Sequence, residues 1–206
     1  AWNDEQMHLN TPGLNRILDF HEATGRLRVE GGVKIVDIYR HVHDRGFALP
    51  ASPTESIITV AGAIAANVNG KDAWRHGSFA HQVVRFTLML ADGSVIKVDR
   101  AHELFNAVVG GIGLIGIIVD ATLQLRPIPS PFVEIDRIPA ADVDAMLNIM
   151  ASVEKSHDAA VVWMDAYASG SRTGRSVIHA AKWVKRSDTQ MQRRKMLDAG
   201  YERLEK

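Results

Sequence analysis

Residues 59–71, TVAGAIAANVNGK, combine small side chains with two asparagines. Small side chains let a backbone approach a flat or phosphorylated ligand closely, and exposed backbone N–H groups can then bind anionic or carbonyl oxygens. Asn67 and Asn69 each offer a donor and an acceptor, which suits the edge of a heterocycle. Composition alone favours a simpler structure, a helix rich in alanine and glycine that packs tightly in the core.

A second glycine-rich stretch, GIGLIG at residues 111–116, matches the glycine spacing of dinucleotide-binding sites. Such a site needs a strand before the glycines and a helix after them, so that the helix N-terminus meets the pyrophosphate. Here a helical stretch, ELFNAVV, precedes the glycines and an alternating strand follows them. The order therefore disfavours a nicotinamide site and predicts a helix-to-strand turn that needs backbone freedom.

The nine histidines lack the spacing of a metal site. His41 and His43 are two residues apart on a predicted helix, so their side chains diverge. His76 and His81 flank a Gly-Ser-Phe tripeptide with no acidic residue between them. We therefore expect surface or turn histidines and no bound metal.

Composition places the chain among ordinary globular proteins. Its 206 residues suit one domain, or one domain with a piece of another, and 46% of them are hydrophobic. The 24 basic residues balance the 24 acidic ones, so no net field recruits nucleic acid or an anionic membrane. The absence of cysteine excludes disulfides and thiolate metal sites, and it fits a reducing, cytoplasmic location.

The apolar runs and the N-terminal residues show whether the sequence contains a membrane span or a signal peptide. No apolar run approaches the roughly 20 residues of a membrane span. Residues 1–13, AWNDEQMHLNTPG, lack the basic and apolar regions of a signal peptide, and the first residue is not Met. The sequence thus predicts a soluble internal fragment, or a product trimmed at its N-terminus.

Hydrophobic periodicity predicts the elements that must position these segments. Ile35, Ile38 and Val42 recur at helical spacing, and Gly46 follows where a left-handed cap would stand. Alternation predicts strands at 26–30, 84–90, 95–98 and 117–125. The second and third of these strands form a hairpin around Asp92-Gly93, and the last is expected to bury one face.

A boundary is predicted in RPIPSP, residues 126–131, because three prolines in five residues cannot continue a sheet ladder. Beyond it the pattern predicts three strands, at 132–135, 160–165 and 176–184, and a helix at about 141–156. Ser187 with Gln190 fits a capping box that opens a charged C-terminal helix.

Five motifs occur in order along the chain: TVAGAIA (59–65), NGK (69–71), GSF (77–79), ADG (91–93) and VGGIGLIGII (109–118). In this order they resemble the second half of the FAD domain in the vanillyl-alcohol oxidase/p-cresol methylhydroxylase superfamily. The resemblance covers about residues 14–127 and is strongest to the sugar-oxidising branch, the proteins similar to decaprenylphosphoryl-ribose 2′-oxidase. The motif order is specific to the superfamily and not to a substrate.

The resemblance implies an α+β fold. Residues 1–128 would be the second subdomain of a PCMH-type FAD-binding domain, and residues 129–206 would begin an α/β substrate (cap) domain. The implied enzyme oxidises a CH–OH group of a sugar or polyol-like alcohol by hydride transfer to FAD. Two alternatives stay open: a truncated, non-catalytic remnant of the FAD domain, and a flavin reductase on the same fold, such as UDP-N-acetylenolpyruvoylglucosamine reductase.

Carried over position by position, the family's flavin contacts fall on twelve residues. They are Thr54, Thr59, Val60, Ala61, Gly62, Ala66, Asn67, Val68, Asn69, Gly70, Gly113 and Ile118. Ile112 stands where the most similar relatives carry Asn. Ala61 replaces a glycine of the family, which costs on the order of 1 kcal/mol if that position needs a positive φ and little if it needs only smallness.

Asn69 stands where those relatives place a histidine beside the flavin. Asn can neither relay a proton nor take a covalent flavin link, so the resemblance implies noncovalent FAD. Asn69 and Lys71 are the candidate catalytic residues, and no base is identified. A turn cap at Asn69 and a solvated Lys71 are equally consistent with the sequence.

Overall fold

The computed structural model describes residue 11 and residues 13–185. Within this part of the chain, contacts separate two compact units, residues 11–42 with 47–126 and residues 43–46 with 127–185. Each unit combines helix with antiparallel sheet, which confirms the predicted α+β class. None of the helices in the described residues is both long and apolar enough to cross a membrane.

The described part of the first unit contains six strands and four short helices. The strands are β1 (Ile17–His21), β2 (Arg26–Glu30), β3 (Phe47–Ala48), β4 (Val83–Met89), β5 (Val95–Asp99) and β6 (Ile117–Gln124). The helices are α1 (Ile35–Val42), α2 (Val60–Ala65), α3 (Ala73–His76) and α4 (Phe105–Val108), with a 3-10 turn at Phe79–Gln82. A further 3-10 turn, His43–Arg45, belongs to the second unit.

One five-stranded antiparallel sheet, in the order β1-β2-β6-β4-β5, forms the framework of the first unit. Its inner face contributes fully buried residues such as Leu27 and Leu123, and α1 and α2 pack on it through Ile38 and Ile64. The predicted helix at 35–42, the strand at 26–30 and the β4–β5 hairpin are confirmed. Alternation was sufficient there because each of these elements buries one face only.

Strand β6 does not follow its predicted pattern. We expected one buried face, yet Asp120 and Thr122 are buried on the side opposite Ala121. The strand is central in the sheet, and long side chains from its neighbours cover the outer face: Arg28 contacts Asp120 through two hydrogen bonds. A register shift against β4 also turns Ile118 into the core, since the shift breaks the alternation.

The second unit has a three-stranded antiparallel sheet in the order β8-β10-β9, with one helix packed on one face. Its elements are β8 (Val133–Ala140), α5 (Val143–Ser156), a 3-10 turn (Gly170–Arg172), β9 (Ala159–Met164) and β10 (Ser176–Trp183); the short β7 (Arg126–Pro127) precedes them. Asp142 caps α5 by accepting a hydrogen bond from the N–H of Ala145 at 2.9 Å. Four buried residues centre its core, Ala140, Val153, Ile178 and Ala180.

Strand β8 is longer than predicted, eight residues where the sequence indicated four. The apolar pattern ends at Ile135 because the charged Asp136 and Arg137 follow it, and the strand continues through both and through Pro139. A proline is tolerated here because β8 is an edge strand of its sheet. The helix predicted from Ser187 lies outside the described residues.

Candidate functional site

Helix α2 starts from a capped N-terminus next to the sheet. The side-chain oxygen of Thr59 accepts a hydrogen bond from the N–H of Gly62 at 3.2 Å. The N–H of Ala61 donates to the carbonyl of Gly31 at 2.8 Å, which ties the first turn of the helix to the end of β2. Ala61 therefore has ordinary helical geometry. Its replacement of the family's glycine costs no backbone strain, since Asn67 and Ile112 are the described non-glycine residues with positive φ.

The two faces of α2 have different surroundings. Val60, Ala63 and Ile64 are fully buried in the core, so the helix is packed as its composition suggested. Gly62 and Ala66 lie on the exposed face. A surface with no side chain beyond Cβ at these two positions can lie flat against a planar ring.

The chain leaves α2 through Asn67, whose φ of 44° is left-handed. Asn tolerates this conformation better than most residues. Its side-chain oxygen accepts a hydrogen bond from the N–H of Ala80 at 3.1 Å, and the carbonyl of Val68 accepts one from Phe79 at 2.9 Å. The segment is thus tied to the GSF motif, and the acceptor of Asn67 already has a protein partner.

Gly70 brings a second loop to this segment. It forms a β-bridge with Pro53, and a Cβ placed on Gly70 would lie only 2.3 Å from the carbonyl oxygen of Ser52. Only glycine fits at so close an approach. Because Thr54 follows Pro53, the exposed Thr54 and Asn69 belong to two segments that this contact holds together.

A buried carboxyl group, that of Asp72, lies next to this contact, and sequence analysis did not single it out. Asp72 is 3% exposed, and its Oδ1 accepts a hydrogen bond from the N–H of Ser52 at 3.1 Å. Burial raises the pKa of Asp72 to about 6, and the neighbouring Arg126 and Lys71 counteract part of this rise. Nothing in the local sequence marks the burial, because it depends on a residue twenty positions away.

The glycine run lies against the C-terminal end of α2. The N–H of Gly110 donates to Ile64 at 3.2 Å, and the N–H of Ile112 donates to Ala65 at 2.9 Å. Gly110, Ile112 and Gly113 all have positive φ, which makes the run a tight turn between α4 and β6. The predicted helix-to-strand turn is confirmed. The element order of a dinucleotide site is absent from this stretch.

Ile118 lies on the core side of the same region. It is 5% exposed, and its neighbour Val119 accepts a hydrogen bond from the N–H of Gly31 at 2.8 Å. Gly31 is also the acceptor for Ala61, so the start of β6 lies beside the first turn of α2.

All twelve predicted cofactor residues lie in the first unit, with different degrees of exposure. Five are exposed: Thr54, Gly62, Ala66, Asn69 and Gly113. Five are half-buried: Thr59, Ala61, Asn67, Val68 and Gly70. The side chains of Val60 and Ile118 are buried in the core, which leaves their backbone as the part closest to the site. Lys71, a candidate catalytic residue, is exposed beside Gly70.

Metal ligands do not cluster in the described part of the chain, where no three His, Asp or Glu side chains converge on one point. His41 lies in α1 and His43 in the 3-10 turn that follows it. What the described part of the first unit offers a ligand is the small-residue surface of α2 and the backbone hydrogen-bonding groups near it.

Comparisons with known proteins point to an FAD-binding domain. Residues 2–99 match a family model described as FAD binding domain. A Streptomyces coelicolor protein described as uncharacterized is 38% identical over 136 residues, covering 66% of this chain and 37% of its own. The decaprenylphosphoryl-beta-D-ribose oxidase of Mycolicibacterium smegmatis is 29% identical over 189 residues, covering 90% of this chain and 41% of its own.

The fold has a solved counterpart as well. An alkyldihydroxyacetonephosphate synthase structure superposes with a TM-score of 0.63 at 16% identity, covering 73% of this chain and 29% of that one. The chain thus spans about two fifths or less of the length of the two relatives and of this structure. The expected cofactor, FAD, agrees with the matched family. Residues 2–99 are thus similar to FAD-binding domains, and the fold of the described residues resembles that of the solved synthase.

Proposed function

We propose that the chain forms the flavin-facing part of an FAD-dependent oxidoreductase that oxidises a CH–OH group of a sugar or polyol-like alcohol. The observation that carries the proposal is the pairing of α2 with the glycine run, which brings the exposed Gly62, Ala66 and Gly113 into one region. In this proposal residues 1–128 form the C-terminal part of the FAD-binding domain, and residues 129–206 begin the substrate domain.

The twelve candidate residues would act mainly through backbone and small side chains. Gly62 and Ala66 allow a ring to approach α2 closely, and N–H groups of the loop that ends at Gly70 would bind carbonyl oxygens. When bound, FAD supplies the hydride acceptor. Asn69 and Lys71 are exposed beside Gly70, where they can hydrogen-bond a substrate hydroxyl. Because Asn69 has no imidazole, the proposal includes noncovalent FAD.

The proposed substrate class rests on the resemblance and on one relative. The name of the Mycolicibacterium smegmatis relative describes an oxidase of a ribose derivative, which supports a sugar or polyol-like substrate for the whole protein. A cytoplasmic location, predicted from the cysteine-free composition, belongs to the same proposal.

FAD binding to the chain tests this proposal directly. We expect added FAD to give a saturable change in flavin fluorescence and a yellow protein that releases its flavin on denaturation. Gly62→Val places a branched side chain on the exposed face of α2 and should weaken FAD binding about tenfold or more. Ala101→Val places the same valine side chain at an exposed position of a turn and serves as the control.

Reduction of the bound flavin separates the alternatives. Bleaching under anaerobic conditions by alditols or sugars supports the oxidase. Bleaching by NADPH but by no alcohol would favour the flavin reductase. A colourless protein that takes up no added FAD would support the non-catalytic remnant, and flavin that stays attached after denaturation would contradict noncovalent binding.

A further inference from the structure

The outer face of the five-stranded sheet carries a row of polar residues, one from each strand. In direct cross-strand register these are Asp19, Arg28, Thr122, Arg85 and Asp99. Side chains of directly paired residues point to the same face of a sheet. Thr122 alternates with the core residues Ala121 and Leu123 of β6, so the row lies on the face opposite α1 and α2.

A cleft of about 340 Å³ lies over the middle of this row. Three arginines, Arg26, Arg28 and Arg85, line the cleft together with Thr122. The cleft is separate from the candidate cofactor surface, because that surface is built from α2 and the glycine run on the other side of the sheet.

Thr122 gives the cleft an unsatisfied donor. The residue is 7% exposed, and its hydroxyl oxygen has no hydrogen-bond partner within the described residues. Buried hydroxyl groups nearly always have a partner, so an orphan that faces a cleft calls for a ligand atom. A hydroxyl can donate one hydrogen bond to an anionic oxygen.

The charges around Thr122 favour an anion. Arg28 is fixed by two hydrogen bonds to Asp120, Nε to Oδ1 at 2.9 Å and Nη2 to Oδ2 at 3.0 Å. Arg26 and Arg85 form no ion pair within residues 13–185, whereas Asp19 is the acidic residue of the lining. Because Arg28 and Asp120 neutralise each other, the lining of the cleft keeps two positive charges, Arg26 and Arg85, and one negative charge, Asp19. Asp99, which pairs with Arg85 in the row, lies outside the lining.

We propose that this cleft binds a phosphate group, either the free ion or a phosphate monoester of a small molecule. The planar guanidinium groups of Arg26 and Arg85 offer paired N–H donors that match the geometry of phosphate oxygens. The hydroxyl of Thr122 donates to a third oxygen. Arg28, held in place by Asp120, offers its remaining N–H donors at the centre of the row.

Calorimetric titration of the full chain with inorganic phosphate, at ionic strength held constant with sodium chloride, tests the site. We expect saturable binding that weakens about tenfold in Arg85→Gln and a few-fold in Thr122→Val, since each substitution removes a donor to the ligand. Arg137→Gln removes the same charge from an exposed position of the second unit and should leave the affinity unchanged. Thermal unfolding of each variant shows that it is folded.

Further arms distinguish the source of the phosphate and the independence of the site. Tighter binding of glycerol phosphate than of inorganic phosphate supports a phosphorylated small molecule, and equal binding supports the free ion. The proposal is overturned if phosphate binds no better than chloride, or if Arg85→Gln and Thr122→Val bind it as tightly as the natural chain. Displacement of phosphate by FAD would overturn a separate site, whereas unaltered FAD binding in Arg85→Gln supports one.

Discussion

Two stretches of this molecule, α2 and the glycine run, are both rich in small residues and are built in opposite ways. In α2, a Thr59 cap starts the helix and three residues are fully buried in the core. In the glycine run, Ile112 is 71% exposed and Leu114 is 88% exposed, around a turn with positive φ angles. Small side chains therefore allow another part of the molecule to come close but do not determine which part it is. The neighbouring elements determine it, because α2 is packed on the inner face of the sheet, whereas the glycine run joins a helix to a strand.

The largest difference between the two stretches should come from truncating one apolar side chain in each. Ile64→Ala removes a fully buried side chain of α2 and should lower the free energy of unfolding by about 2–5 kcal/mol. Leu114→Ala truncates an exposed residue of the glycine run and should change it by less than about 0.5 kcal/mol. Urea unfolding measures both. Equal losses would show that the run is packed and would remove the contrast.

The dependence of stability on pH tests the burial of Asp72, which lies beyond α2 and next to Ser52. The folded pKa of Asp72 is about 6, above its ordinary value of 3.8, so protonation favours the folded chain. The stabilisation is complete below about pH 4 and is lost as pH rises through 6. Its loss should amount to roughly 1–3 kcal/mol.

Asp72→Asn is the matched variant, because it keeps the oxygen that accepts from Ser52 but does not titrate. Its urea-unfolding free energy, measured from pH 4 to pH 7.5, should lack the decrease that the natural chain shows. Parallel curves for the two proteins would mean that the carboxyl of Asp72 is solvated in solution.

Removing the cap of α2 should have a smaller effect. Thr59→Ala deletes the side-chain acceptor for Gly62 and should destabilise the chain by about 1 kcal/mol. Thr59→Ser keeps a hydroxyl at this position and should retain most of the stability. Urea midpoints for the three proteins check the prediction, and identical midpoints would show that the cap contributes nothing.

The smallest expected change is a gain within the glycine run. Ile112 holds a β-branched side chain at a φ of 53°, which is unfavourable for such residues. Ile112→Asn should raise the free energy of unfolding by about 0.5 kcal/mol, because Asn tolerates the left-handed region. Leu114→Asn, at a position without positive φ, should give no gain. A loss in Ile112→Asn would indicate that the exposed isoleucine is packed in solution.

Sequence patterns predicted the structure correctly where it depends on residues within a single element. The spacing of Ile35, Ile38 and Val42 predicted α1, and Asp92-Gly93 predicted the hairpin turn. The patterns failed where the structure of an element depends on residues that are distant in the sequence. The break in alternation at Ile118 arises from pairing with β4, and the length of β8 depends on its place at a sheet edge.

The candidate site divides in the same way. The resemblance implied candidate flavin contacts in α2 and in the glycine run, and the hydrogen bond from Ile112 to Ala65 joins these two segments. The sequence could not show that the acceptor of Asn67 is taken by Ala80, nor that Asp72 is buried beside Ser52. Both facts depend on contacts between residues thirteen and twenty positions apart.

The place of β6 in the sheet has a consequence for biosynthesis. The strand inserts between β2 and β4, so β2 acquires its second partner only after a further 90 or more residues have been synthesised, as the pairing of Glu30 with Asp120 shows. Until residue 124 has left the ribosome, the hairpins β1–β2 and β4–β5 each present an open edge to other chains. We therefore expect the nascent protein to need chaperones most just before its central strand emerges, when these open edges could pair with other chains.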